Sequence, residues 1–321
     1  MVELGMVFTL DEALRAGRSE AWIRHALNTK RLVRIRRGFY CDAELWERSA
    51  ASPVTRHVLE ARAAWIATER RGWASHYSAA LLNGLPVPFG QPAAVTISQA
   101  SRPEGRRHYF PGVRLRTASV DTCDIGSEFS MPVLRPARTA LDVTRLHGFG
   151  AGLVTADAAL ARGVATESDL VRIDKWMTGW SGSRAVHDVV RHASGRREAP
   201  SESLSFALFV ERQLPLPECN PWIVGHGAGG VRSDFRWKAY HLAGEVDGRI
   251  KYTEPYGKPD RVLADEKARQ LRIEETGLVV VRWTAAEVVH HPDRVIDRIV
   301  RQSRVASEIY GVPLLLPGSL D

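Results

Sequence analysis

Near the N-terminus, apolar positions recur at helical spacing and are cut by turn residues. Residues 11–16 read as a helix ended by Gly17, and a second helix starts after Ser19, whose hydroxyl suits an N-cap. Trp22, Ile23, Ala26 and Leu27 form the packing face of that helix, with Arg24, His25 and Asn28 on the others. Residues 32–40 alternate basic and apolar, the period of a strand, and Gly38 turns the run into a small hairpin. Further on, residues 58–67 and 73–86 follow helical periods, the second stopped by Gly84 and Pro86. Residues 95–98 and 113–116 read as short strands around a basic loop with Arg102, Arg106, Arg107 and His108, and helix returns over 136–143 and 156–163.

The stretch 194–200, Ser-Gly-Arg-Arg-Glu-Ala-Pro, has the composition of a linker, so a new domain is expected near Ser201. There the pattern gives a helix from Ser201 and strands over 231–237 and 240–247 joined by a turn at Lys238-Ala239. An amphipathic helix over 265–273 and an apolar strand over 278–284, of the kind buried on both faces, come next. Helices over 286–289 and 295–300 close the pattern.

A chain of 321 residues is long enough for two to three domains, each with its own core. The expected parts are 1–50, 51–197 and 198–321. With 44% hydrophobic and 25% charged residues the composition is that of an ordinary globular protein. A formal charge of +7 favours polyanionic partners. The distribution sharpens this, because Arg15, Arg18, Arg24, Lys30, Arg31, Arg34, Arg36 and Arg37 face Glu20 as the only acid between residues 15 and 37. Cys41, Cys123 and Cys219 are too far apart for a disulfide framework or a Cys-x-x-Cys metal site. No apolar run reaches membrane-spanning length and no signal-peptide pattern opens the chain, so a cytoplasmic protein with no membrane partner is expected.

Helix, turn, helix and hairpin in this order make a winged helix-turn-helix pattern. In such folds the second helix enters the major groove and the wing touches backbone, so Ser19, Arg24, Lys30, Arg34, Arg36 and Arg37 are the expected DNA contacts. On Leu10, Ala13, Gly17, Ser19, Ile23, Leu27, Leu32, Arg34, Gly38 and Tyr40, residues 7–42 resemble the winged-helix N-terminal domain of the AbiEi family of type IV antitoxins. The phrases at 75–80 and 136–142 extend that resemblance into the middle region. It implies DNA as a partner, and a cognate toxin or self-association besides. His76 and Asp142 are read as structural.

The chemistry concentrates in the last third. Two antiparallel strands joined by a short turn bring Asp234 and Glu245 together, and alternation places Glu245 and Asp247 on one face. Convergent acids repel unless a cation lies between them, and a hard divalent ion with oxygen ligands serves. Asp234, Glu245 and Asp247 are the expected ligands of Mg2+ or Mn2+, which would orient a phosphate and stabilise charge during phosphodiester hydrolysis. A lysine would complete the site. Lys251 shares the parity of Glu245 if the strand continues through Gly248, and Lys267 is the other candidate. Glu202, in the first turn of its helix, could reach the metal, although an acid there also favours the helix dipole.

This arrangement resembles the PD-(D/E)XK nuclease core over roughly residues 198–305, and within it the DUF559 branch of restriction-endonuclease-like proteins, related to very-short-patch mismatch endonucleases. Carried over by position, Asp234 is the first-motif acid, Glu245 the second and Glu202 the helix acid. Asp247 stands two positions after Glu245, where the superfamily pattern has lysine, so the lysine assignment stays open.

The expectation is an α/β multidomain protein: an N-terminal winged helix-turn-helix, an α/β middle region, and a restriction-endonuclease-like core with a mixed sheet. Its expected activity is that of a DNA-binding, Mg2+-dependent endodeoxyribonuclease, compatible with a toxin-antitoxin or defence setting. The alternative is a non-enzymatic antitoxin-type transcriptional regulator whose nuclease-like domain is inactive. No Walker-type loop, Gly-x-Gly-x-x-Gly or Gly-x-Ser-x-Gly competes with these readings.

Overall fold

A computed structural model describes residues 6–88, 94–101, 112–225, 230–247, 272–273 and 275–318. The first elements are β1 (Val7–Thr9), α1 (Leu10–Arg15), α2 (Glu20–Asn28), β2 (Leu32–Arg36) and β3 (Phe39–Asp42). The strands form an antiparallel sheet in the order β1-β3-β2. Thr9 and Glu12 make a capping box on α1, and Ser19 Oγ accepts from Trp22 N at 3.1 Å to cap α2. Ile23 and Ala26 pack with Phe8, Ala13 and Leu32 in a small core, but Val7 and Cys41 belong to the core of the region that follows. Packing is thus continuous across residue 50.

That region comprises α3 (Ala43–Arg48), α4 (Pro53–Ala67), β4 (Trp73–Ala74), α5 (His76–Leu82), β5 (Val95–Gln99), β6 (Val113–Thr117), β7 (Ile125–Glu128) and β8 (Met131–Leu134). Its five strands lie in the order β6-β5-β4-β8-β7, a mixed sheet in which β5 and β6, and β4 and β8, run parallel. The helix expected over 73–86 is in fact strand, then helix. Trp73 and Ala74 pair with Ser98 and Ile97, and Ser75 remains extended at φ -143° and ψ 170° before α5 begins.

Four helices follow: α6 (Pro136–His147), α7 (Phe149–Ala161), α8 (Glu167–Trp176) and α9 (Ser183–His192). The last two lie where no element was expected. Helix α7 begins at Phe149 rather than near 156, because Gly150 and Gly152 are contact residues and not breakers. A Cβ on Gly152 would lie 1.9 Å from Thr144 Oγ1 on α6.

The expected linker is a packed joint. Arg197, 3% exposed, donates from Nε and Nη2 to the fully buried Asp157 of α7 at 2.5 and 2.9 Å. Ser194 N and Ser203 Oγ donate to the same carboxylate at 2.8 and 2.7 Å. The charged composition that suggests a solvated linker is matched internally instead. Helix α10 (Pro200–Glu211) then packs directly on α7, with Leu153 in one core with Phe206 and Phe209.

The remaining elements are β9 (Glu218–Cys219), β10 (Trp222–Val224), β11 (Val231–Arg232), β12 (Phe235–Trp237), β13 (Leu242–Asp247), β14 (Val279–Thr284), α11 (Ala285–His290) and α12 (Pro292–Tyr310). The order β14-β13-β12-β9 forms a four-stranded mixed sheet, parallel between β13 and β14 and antiparallel elsewhere. The single strand expected over 231–237 breaks at Ser233 and Asp234, since β11 pairs with β10 and only β12 joins the larger sheet. Phe209 meets Phe235, Trp237 and Trp283 edge-on, with centroids 5.2, 5.2 and 5.8 Å away. Among the described residues no helix is long and apolar enough to cross a membrane.

Candidate active site

Strand alternation decides which side chains share a face. Phe235, Trp237, Leu242 and Val246 join the core beneath α10, whereas Ala243 belongs to a second cluster on the other side. Arg236, Glu245 and Asp247 therefore lie on the Ala243 side. Strand β12 begins at Phe235, opposite Gly244 on β13, and Asp234 is the residue just before it.

Asp234 occupies the bend before β12, and its Oδ2 accepts from Val246 N at 2.7 Å. That bond fixes the carboxylate over β13. Glu245 is 5% exposed, and its register partner on β14 is Arg282, whose Nη2 donates to Glu245 Oε2 at 2.6 Å. Asp247 stands at the exposed end of β13, opposite Thr284.

Glu202 approaches from α10. It is 7% exposed, and its Oε2 accepts from Glu198 N at 2.9 Å and from Asn220 Nδ2 at 2.6 Å. Burial pushes its carboxyl above the usual carboxylate range, against those two hydrogen bonds, which favour the charged form. Asn220 also donates its backbone N–H to Asp234 O at 2.9 Å, so one residue, at φ 51°, ties the helix acid to the bend that carries Asp234. Arg232 Nε donates to Asn220 O at 3.1 Å, and Arg232 Nη2 to Glu198 Oε1 at 3.0 Å.

The expected cage of three acids is not found. Among the described residues no three His, Cys, Asp or Glu side chains are placed to hold a metal ion. The reason is local: Arg282 holds Glu245, Val246 N holds Asp234, and Asp247 stands at the strand's exposed tip. Two carboxylates still suit Mg2+, which keeps several waters and takes phosphate oxygens to complete its shell. Asp234 and Glu245 would be those two. Lys251 and Lys267 lie outside the described residues.

Sequence reasoning missed Asn220, Arg232 and Arg282. Arg282 left a signal, being the one charge in the apolar run 278–283, where a buried counter-ion is required.

At the other end of the chain, Ser19, Arg24, Lys30, Arg34 and Arg37 are exposed. Ser19 spends its hydroxyl on the α2 cap. Arg36 departs from expectation: it is half-buried, a Cβ on Gly112 would sit 3.4 Å from its Nη2, and the charge of Glu60 acts on it. The bulge between Arg34 and Arg36 accompanies that inward turn, which places Arg36 between regions rather than in an open basic face.

No family model matches the chain. It is 32% identical over 166 residues to two uncharacterized proteins of Mycobacterium tuberculosis, MT2308 of strain CDC 1551 and Rv2248 of strain H37Rv. The similarity covers 52% of this chain and 59% of each relative, so the chain spans less than two thirds of their length.

Proposed function

We propose that the chain is a DNA-binding, Mg2+-dependent endonuclease whose reactive centre is the Asp234 and Glu245 pair. The observation that supports this reading is the bend at Asp234, whose carboxylate accepts from Val246 N on β13, the residue next to Glu245. A divalent cation held there would supply Lewis-acid stabilisation of the phosphoryl oxygens. Asn220 aligns Glu202 and Asp234, and Glu202, with its carboxyl raised by burial, can hold a proton at its Oε atoms. Arg282 pairs with Glu245 and orients its carboxylate. The exposed Arg24, Lys30, Arg34 and Arg37 would grip the DNA backbone in a winged-helix manner.

One observation favours a second reading. The pair between Arg282 and Glu245 neutralises the buried acid without a metal, as suits an antitoxin-type regulator that binds DNA without cutting it. Supercoiled, linear, nicked and mismatched DNA, incubated with wild type or Asp234→Ala and Mg2+ or Mn2+, separates the two. Cleavage lost in the variant is the expected result. Equal cleavage by both proteins would sink the active-site assignment, and no cleavage with tight binding to its own promoter would favour the regulator.

A further inference from the structure

Beside the acid pair, the same sheet face opens into a cleft of about 570 Å³ lined by Ile223, Arg236, Lys238, His241, Thr276 and Leu278. Two buried polar atoms on its walls, Arg236 Nε and His241 Nδ1, have no hydrogen-bond partner among the described residues. Buried polar groups in folded proteins are paired with few exceptions, so two in residues that line one cleft make it an uncommon site. His241 is held at φ 46°, a left-handed conformation unusual for a side-chain-bearing residue, and its ring stacks on Tyr310 with centroids 4.9 Å apart. Lys238 is exposed at the rim.

We propose that this cleft binds a phosphate group of a nucleic-acid strand that also crosses the acid pair. The proposal rests on the nuclease reading for its choice of ligand. Arg236 lies two residues from Asp234, no more than about 7 Å away even if the chain between them is extended, so one nucleic-acid backbone can touch both. A planar guanidinium matches the oxygens of a phosphate, and a second cation at the rim adds attraction without demanding geometry. Ile223 and Leu278 supply an apolar wall against which a sugar or base can rest.

The test is anisotropy with labelled single-stranded and duplex oligonucleotides in EDTA, using wild type, Arg236→Met and Ala239→Trp. Ala239 lines the cleft and is exposed, so tryptophan there fills the space without entering the core. Arg236→Met and Ala239→Trp should each weaken binding about tenfold, and Arg236→Met should lower the salt slope for duplex by about one. Wild-type affinity in both cleft variants would overturn the proposal, as would competition by inorganic phosphate or a mononucleotide as effective as that of unlabelled oligonucleotide. Since binding is read without metal, failure of the wild type to cleave DNA would remove the nuclease reading alone, and cleavage with unchanged binding would remove the cleft alone.

Discussion

Glu245 is charged, nearly buried and opposite Arg282, and that pairing governs what the sheet tolerates at this position. Replacing Arg282 by Met removes a charged hydrogen-bond partner of the buried Glu245, at about 2 kcal/mol, the range for hydrogen bonds to charged groups, with the partly exposed guanidinium keeping the figure moderate. The double variant Glu245→Gln, Arg282→Met should lose less than the sum of the single variants in urea unfolding, and strict additivity would show that the two do not interact. A separate pair of residues sets the acid sensitivity. Burial pushes His57 down to about 4 and His76, helped by Arg116 and other nearby cations, down to about 3. Both are neutral when folded but protonate near 6.5 when unfolded. With the folded value depressed, their contribution is complete above pH 6.5 and is lost as pH falls toward those values, at about 1.4 kcal/mol per residue and pH unit. His57→Gln, which retains a partner for Ser78, should flatten the fall in urea midpoint between pH 6.5 and 4. An unchanged slope would assign the acid sensitivity to other groups. Legibility at this scale follows sequence distance. Ser19 and its cap partner are three residues apart and readable, whereas Arg282 and Glu245 are separated by 37 positions and meet only through strand register.

Among the elements, the strand expected over 278–284 and the helix expected from Ser201 are found as β14 and α10, which share one core. The errors have physical causes. Trp73 and Ala74 satisfy a helical period yet pair with β5 and β8, as tertiary contacts override a local preference. The glycines of α7 look like breakers, but Gly152 permits contact with α6 and Gly150 with α10, which a sequence cannot distinguish without the partner helices. Gly152→Ala forces Thr144 to move and should lower stability by about 2 kcal/mol, the usual effect of overpacking. A melting temperature equal to wild type would mean that the two helices separate freely.

For the molecule as a whole, the joint at Asp157 and Arg197 matters most, since it ties the middle region to the sheet that carries the acids. Arg197 also donates to Cys219 Sγ on β9 at 3.7 Å, next to Asn220. Breaking a buried pair leaves an uncompensated charge, so Arg197→Met should cost about 3–5 kcal/mol. Calorimetry should then show the last region melting apart from the middle one, and a single transition would contradict the coupling. None of this was legible, because residues that will pair inside a joint have the same composition as residues that will be solvated in a linker. The central claim, that Asp234 and Glu245 form a phosphodiesterase site, is tested most directly by the initial rate at which supercoiled plasmid is nicked in Mg2+. The account predicts nicking by the wild type and a fall of about a hundredfold or more in Asp234→Asn, the scale of loss when one transition-state stabilising group is removed. Equal rates in the two proteins, or no nicking by the wild type, would contradict it.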